Sequence, residues 1–269
     1  MANRVGYRHS VNHSHVRCSQ TMDTALPLAG HCVLVTGGAK RLGAAIGRRL
    51  HAAGANVVVH FNQSQPAADA LVAELERSRA GSALAVRADL HDVERLPALV
   101  DAALARFGRL DVLVNNASTF YPTPVGSITA AQFDDLVGTN LRAPLFLSQA
   151  AAPALRDARG LIINMVDIHG RRPLKSHPVY SAAKAGLVML TKSLARELGP
   201  EVRVNAIAPG PVLWPERDLD AALKDEIIAK TALKRSGSPE DIARTAYFFA
   251  VEAPYVTGQV IAVDGGRSL

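Results

Sequence analysis

Two residues four positions apart carry the most pointed chemistry in this chain: Tyr180 and Lys184, in Tyr180-Ser181-Ala182-Ala183-Lys184. On a helix that spacing puts both side chains on one face. A free phenol has a pKa of roughly 10 and donates a proton poorly at neutral pH. A nearby ammonium favours the phenolate and lowers that value. Lys184 is therefore expected to tune Tyr180 as a proton donor to a bound substrate. Upstream, the apolar run Leu161 to Val166 delivers a carboxyl, Asp167. Further upstream, Val33-Leu34-Val35 runs into Thr36-Gly37-Gly38-Ala39-Lys40-Arg41-Leu42-Gly43 and then into an apolar-periodic segment from Ala44 to Leu50. This reads as strand, tight turn, helix. Glycines there let the backbone approach a pyrophosphate, and the helix N-terminus offers unpaired N–H groups and partial positive charge. The spacing is not G-x-G-x-x-G. Gly37 and Gly43 bracket the turn, and Arg41 stands where a middle glycine is expected.

The elements that must position these groups alternate along the chain. A second strand, Val57 to His60, ends in His60-Phe61-Asn62-Gln63-Ser64, where an NAD site usually places an acid for the ribose 2′-hydroxyl. No carboxylate is present to repel a 2′-phosphate. Lys40 and Arg41 add positive charge and Ser64 a hydrogen-bond donor, so the expected cofactor is NADPH. A helix follows over Pro66 to Ser78, a strand over Ala83 to Val86 ending at Asp89-Leu90, and a helix over Val93 to Phe107. Leu110 to Val114 is the fourth strand, closing on Asn115-Asn116-Ala117-Ser118. A helix from Ala130 to Ala151 carries Asn140, and a fifth strand runs from Leu161 to Val166. The Tyr180 helix continues to Leu198, and a sixth strand from Val202 to Ile207 leads to Pro209-Gly210. A polar, irregular stretch to Ser238, with the sole Trp, Trp214, precedes a helix from Pro239 to Val251. Val260 to Val263 is the seventh strand. This alternation predicts one doubly wound α/β domain over residues 28–269, with a parallel seven-stranded sheet and ligands beyond the strand C-termini.

Composition excludes several classes. The chain has 269 residues, 48% hydrophobic and 20% charged, which suits one compact domain. No apolar run is long enough to span a bilayer, so no membrane partner is expected. The net charge is +6, but Lys and Arg are dispersed and no basic stripe interleaves with aromatics. Nucleic acid is therefore not an expected partner. Cys18 and Cys32 lie in no metal-ligand spacing, so no metal site is expected, and Cys32 reads as a small hydrophobe of the first strand. Residues 1–27 form an N-terminal arm. Its first 21 residues hold no acid and no apolar core, which excludes a secretory signal. A disordered arm, or an extension upstream of a start at Met22, is favoured over a transit peptide. A cytoplasmic location is expected.

The set of motifs resembles the short-chain dehydrogenase/reductase family along nearly the whole chain. The resemblance rests on Thr36-Gly37 to Gly43, Asp89-Leu90, Asn115-Asn116-Ala117, Asn140, Tyr180-x-x-x-Lys184, Pro209-Gly210 and Val263-Asp264-Gly265-Gly266. It implies a Rossmann fold, hydride transfer from a nicotinamide cofactor, and a homotetramer. By the same resemblance, Gly37, Lys40, Arg41, Leu42, Gly43, His60, Ser64, Asp89, Leu90, Asn116, Ala117, Ser118, Tyr180, Lys184, Pro209 and Gly210 bind the cofactor. Asn140 would hold a water in the proton path, and Lys184 would bind the nicotinamide ribose. Three departures are similar to the pteridine reductases: Asp167 where most members have Ser, Arg41 in place of the middle glycine, and Ser118-Thr119-Phe120-Tyr121-Pro122 after the Asn-Asn-Ala motif. That likeness implies that Phe120 stacks a pterin against the nicotinamide. It also implies that Arg41 and Ser118 contact phosphate or substrate, and that Asp167 joins Tyr180 in proton delivery. The loop bearing Trp214 is expected to cover the substrate, a pterin or folate. Phe120 packed under a loop, or Asp167 as a structural cap, are the blander readings of those two residues. Gln63 stands where the pteridine reductases carry Arg. Alternatives for the whole chain are a reductase of 3-oxoacyl thioesters or other carbonyls, or a catalytically weak, cofactor-binding regulatory protein.

Overall fold

The computed structural model describes residues 26–212 and 220–269. The expectations placed on the N-terminal arm, Cys18 and Trp214 lie outside the described residues. In chain order the elements are β1 (Cys32–Val35), α1 (Arg41–Ala52), β2 (Asn56–Phe61), α2 (Gln65–Ser78), β3 (Ala83–Arg87), α3 (Pro97–Phe107), β4 (Val112–Asn115), α4 (Ala130–Val137), α5 (Ala143–Ala158), β5 (Leu161–Met165), α6 (Pro178–Glu197), β6 (Arg203–Pro209), α7 (Ala221–Ala229), α8 (Pro239–Tyr247) and β7 (Val260–Val263). The seven strands form one sheet in the order β3-β2-β1-β4-β5-β6-β7. Every pairing is parallel, as the alternation of strands and helices predicted.

Strand periodicity sorts the core into two layers. Val33 and Val35 pack with Val57, Val59, Ile46, Leu50 and Phe249 on the face covered by α1, α2 and α8. Cys32 and Leu34 point the other way, among Leu99, Leu113, Leu147, Leu155 and Ile162 under α3 and α5. Burial pushes the Cys32 thiol up to about 12, so it serves as a small apolar side chain. Among the described residues no helix is long and apolar enough to cross a membrane, and no group of acidic, His or Cys side chains could hold a metal.

Helix starts follow local chemistry. Thr129 and Gln132 form a capping box at α4, and Ser238 and Asp241 form another at α8. Prolines open α2, α6 and α8, where a missing N–H costs nothing. Four helical spans differ from the sequence reading. Residues 93–107 divide into a 3-10 turn, Val93–Arg95, and α3, because Pro97 can begin a helix but cannot continue one. The expected helix from Ala130 is two helices joined by a π turn, Gly138–Arg142, and the second runs on to Ala158 through Pro153. The last helix ends at Tyr247 in another π turn, Phe248–Glu252. The stretch read as irregular contains α7, none of whose residues is buried. Its apolar residues follow no helical stripe, so periodicity had nothing to detect.

Sheet order reverses between β1 and β4. The loops after these two strands face each other across the crevice where ligands bind in open α/β sheets.

Candidate active site

The crevice is built by a clamp between two loops. Thr36, the residue after β1, donates its hydroxyl to Val114 O (3.3 Å) and accepts from the amides of Asn116 (2.9 Å) and Ala117 (3.0 Å). Asn116 returns its side-chain amide to Thr36 O (2.9 Å) and Gly37 O (3.1 Å). The turn is too tight for a side chain at Gly43. A Cβ on Gly43 would lie 2.4 Å from Gly37 O and 2.6 Å from Asn116 Nδ2. Arg41 has φ +52°. The glycine expected there is absent, but its left-handed backbone is kept at the cost of local strain.

Helix α1 begins directly from this turn without a side-chain cap and without an acid in its first turn. The amides of Leu42 and Gly43 have no protein acceptor among the described residues. An uncapped helix start beneath a close-packed glycine turn has what a diphosphate requires, so the residues present fit a dinucleotide.

His60 proves to be a buttress of this turn. The Gly37 amide donates to Nδ1 (3.1 Å), and Nε2–H donates to Ala88 O (3.2 Å). The ring is buried, and desolvation lowers its pKa to about 4, so it is neutral with the proton on Nε2. Both nitrogens are engaged with backbone, which places His60 behind the cofactor loop. Ser64 immediately precedes α2, in the loop that follows β2. Asp89, after β3, accepts from the His91 amide (2.9 Å), and Leu90 is buried. Pro209 ends β6, and Gly210 packs so closely on Asp264 that a Cβ would lie 2.5 Å from the Asp264 Cβ.

The reactive groups converge on the start of α6. Tyr180 Oη donates to Asp167 Oδ2 at 2.7 Å, and the Asp167 Oδ1 accepts from the His169 amide at 2.8 Å. Asp167 therefore both caps a 3-10 turn, Ile168–Gly170, and holds the phenol. Ser118 Oγ donates to Asn140 Oδ1 at 2.7 Å, and Asn140 Nδ2 donates to Thr119 O and Leu136 O, both at 2.9 Å. Asn140 is fully buried within the π turn between α4 and α5. The extra residue of such a turn locally re-aims a helix and is frequent at functional sites.

Lys184 is buried and donates from Nζ to Met165 O at 2.9 Å. Burial lowers its pKa to about 8, against a raising effect of Asp167. Nζ lies 5.7 Å from the centroid of the Tyr180 ring. The expected lowering of the Tyr180 pKa is not met. Burial first, then the charge of Asp167 and the hydrogen bond to it, push the phenol well above its usual value. Desolvation and a neighbouring carboxylate both penalise the phenolate and outweigh the lowering effect of a hydrogen bond with Ser118.

Phe120 is not packed under a loop. It is 43% exposed, stacks on His177 with centroids 4.7 Å apart and planes 11° apart, and meets Tyr180 edge-on at 4.8 Å. His177, one helical turn before Tyr180, was not anticipated, and that spacing is the signal that could have found it. Thr36 was visible only as part of a motif. The remaining unforeseen support is a buried polar ladder. Asn115 donates to Asn164 Oδ1 (2.9 Å), and Asn164 to Thr191 Oγ1 (3.0 Å), tying β4, β5 and α6 together beneath the site.

Comparison with known proteins agrees with this geometry. A family model described as enoyl-(acyl carrier protein) reductase matches residues 37–268. The chain is 38% identical over 280 residues to pteridine reductase 1 of Leishmania tarentolae, covering 88% of this chain and 96% of that protein. It is 36% identical over 237 residues to the 3-oxoacyl-[acyl-carrier-protein] reductase FabG of Staphylococcus aureus, covering 87% and 96%. Among solved structures, a blue fluorescent protein from a metagenomic library, in complex with NADPH, aligns with a TM-score of 0.85 at 35% identity, covering 90% of this chain and 100% of that one.

Proposed function

The chain belongs to the short-chain dehydrogenase/reductase family, and we propose that within it this protein is an NADPH-dependent reductase of pterins, acting on dihydropterins and on dihydrofolate. The observation that carries this reading is the 2.7 Å hydrogen bond from Tyr180 to Asp167 beside the exposed ring of Phe120. Reduction of a C=N bond needs hydride at carbon and a proton at nitrogen. The bound nicotinamide supplies the hydride. Tyr180, whose phenol is raised, keeps its proton until a ring nitrogen takes it, and Asp167 orients that proton and hydrogen-bonds ring nitrogens. Lys184 neutralises the phenolate left behind. Phe120 offers a flat platform suited to a pterin. For the cofactor, the uncapped start of α1 suits a diphosphate, and the side chains of Lys40 and Ser64 with the absence of an acid from residues 60–64 favour a 2′-phosphorylated dinucleotide. The NADPH held by the metagenomic relative supports the same choice.

Similarity to a 3-oxoacyl-ACP reductase at nearly equal identity favours a second reading, a carbonyl reductase acting on 3-oxoacyl thioesters. Absorbance-followed oxidation of NADPH with dihydrobiopterin, dihydrofolate and a 3-oxoacyl thioester, with NADH as control, separates the two. Pterin turnover should fall by roughly 100-fold or more in Asp167→Ser, the size of one general-acid contribution. Undiminished pterin turnover in that variant would remove Asp167 from the reaction, and turnover of the thioester alone would leave the second reading. A homotetramer is also proposed. Phe133, Phe146 and Met189 are large apolar side chains exposed on α4, α5 and α6, which suits subunit contacts. Light scattering should give four times the 28.5 kDa chain mass; a monomer mass would overturn it.

A further inference from the structure

We propose that Arg87, at the C-terminal end of β3, reads the 2′-phosphate of the adenosine and sets the preference for NADPH over NADH. The inference rests on the NADPH reading above. Strands β2 and β3 are parallel with Phe61 paired to Arg87, so Arg87 emerges beside the loop that follows β2. Its Nε donates to Asn62 O at 3.1 Å, which holds the guanidinium against that loop. The side chain is exposed, and among the described residues no carboxylate pairs with it and its two terminal nitrogens have no protein partner. The other cations nearby are differently placed. Arg48 is bidentate to Glu74, with contacts of 2.8 and 2.7 Å. Arg79 is bound to backbone carbonyls of His51 and Ala55. Lys40 is the N-cap of α1, on the β1 side of the crevice. Arg87 therefore presents a fork of unused donors at a loop without any acid, where Gln63 offers no charge. A planar fork suits the bidentate recognition of phosphate better than a point charge does.

Calorimetric binding of 2′,5′-ADP and of 5′-AMP to the full chain tests the assignment without any turnover. Arg87→Ala should weaken 2′,5′-ADP roughly 10- to 100-fold, the range for charged hydrogen bonds, and leave 5′-AMP within about twofold. Arg87→Gln retains an amide that can donate to Asn62 O while removing the charge, so it should behave like Arg87→Ala. In turnover, the ratio of kcat/KM for NADPH over NADH should fall by the same factor in both variants. Equal weakening of both nucleotides, or restored 2′,5′-ADP affinity in Arg87→Gln, would make Arg87 a strap for the loop and overturn the proposal. Unchanged affinity in both variants would overturn it too. If the unaltered chain binds 2′,5′-ADP no more tightly than 5′-AMP, the NADPH reading itself falls, and Arg87 falls with it.

Discussion

Burial and the Asp167 charge act on Tyr180 in one direction, so the phenol is kept protonated rather than poised to ionise. The spacing Tyr180-x-x-x-Lys184 revealed which residues meet, but not the sign of the effect. That sign depends on desolvation and on a carboxylate thirteen positions away in sequence, neither of which local spacing encodes. The same contrast holds at His60. Its place at the end of a strand marked it as close to the cofactor, whereas its two backbone bonds and its burial emerged only with the fold. A prediction follows from its protonation. The folded ring titrates at about 4, against an ordinary value of 6.5. Between those values the unfolded chain binds a proton that the folded chain refuses, so stability is full above pH 6.5 and falls as the pH drops toward 4. The loss should approach about 3 kcal/mol by the lower limit. Denaturant midpoints measured across this window should show that slope in the unaltered chain, and a His60→Gln variant should lack it. Parallel slopes would mean that His60 is not buried neutral.

Helices and strands differ in how far their pattern betrays them. The strands were legible because apolar residues covered on both faces form runs bounded by glycine, proline and acids. The π turn at Gly138–Arg142 was not, because no local motif marks it, and the close approach there, with His91 2.7 Å from where a Cβ on Gly138 would lie, is tertiary. The stack of Phe120 on His177 likewise joins a loop to a helix start across a long stretch of chain. The turn between β1 and α1 shows the opposite limit, where sequence nearly dictates shape. Gly43→Ala places a methyl group against backbone at 2.4 Å, and overpacking of that kind costs about 1–3 kcal/mol. Because the clash falls on the turn itself, dinucleotide binding should weaken more than stability does. Titration of the cofactor alongside thermal unfolding would check this, and a variant with unchanged affinity would show that the turn has slack.

Across the whole molecule, a rigid parallel sheet brings residues distant in the chain to one crevice, and the order of strands decides which loops meet there. The parallel sheet and its double winding were legible from alternation and from the handedness of crossovers, and the strand order itself came with the structure. The residues that clamp it, Thr36 with Asn116 and Asn115 with Asn164, became clear only once β1, β4 and β5 stood side by side. Thermal unfolding should therefore report on ligand through the same crevice. NADPH at a hundredfold excess over its dissociation constant should stabilise the folded chain by about 2.7 kcal/mol, and an unmoved melting temperature would mean that the folded chain does not bind it. The uncapped start of α1 makes the ligand a structural part of the molecule. A helix that leaves its first amides for a diphosphate to satisfy is finished only when loaded, so the oxidised and the reduced dinucleotide should brace the polypeptide alike.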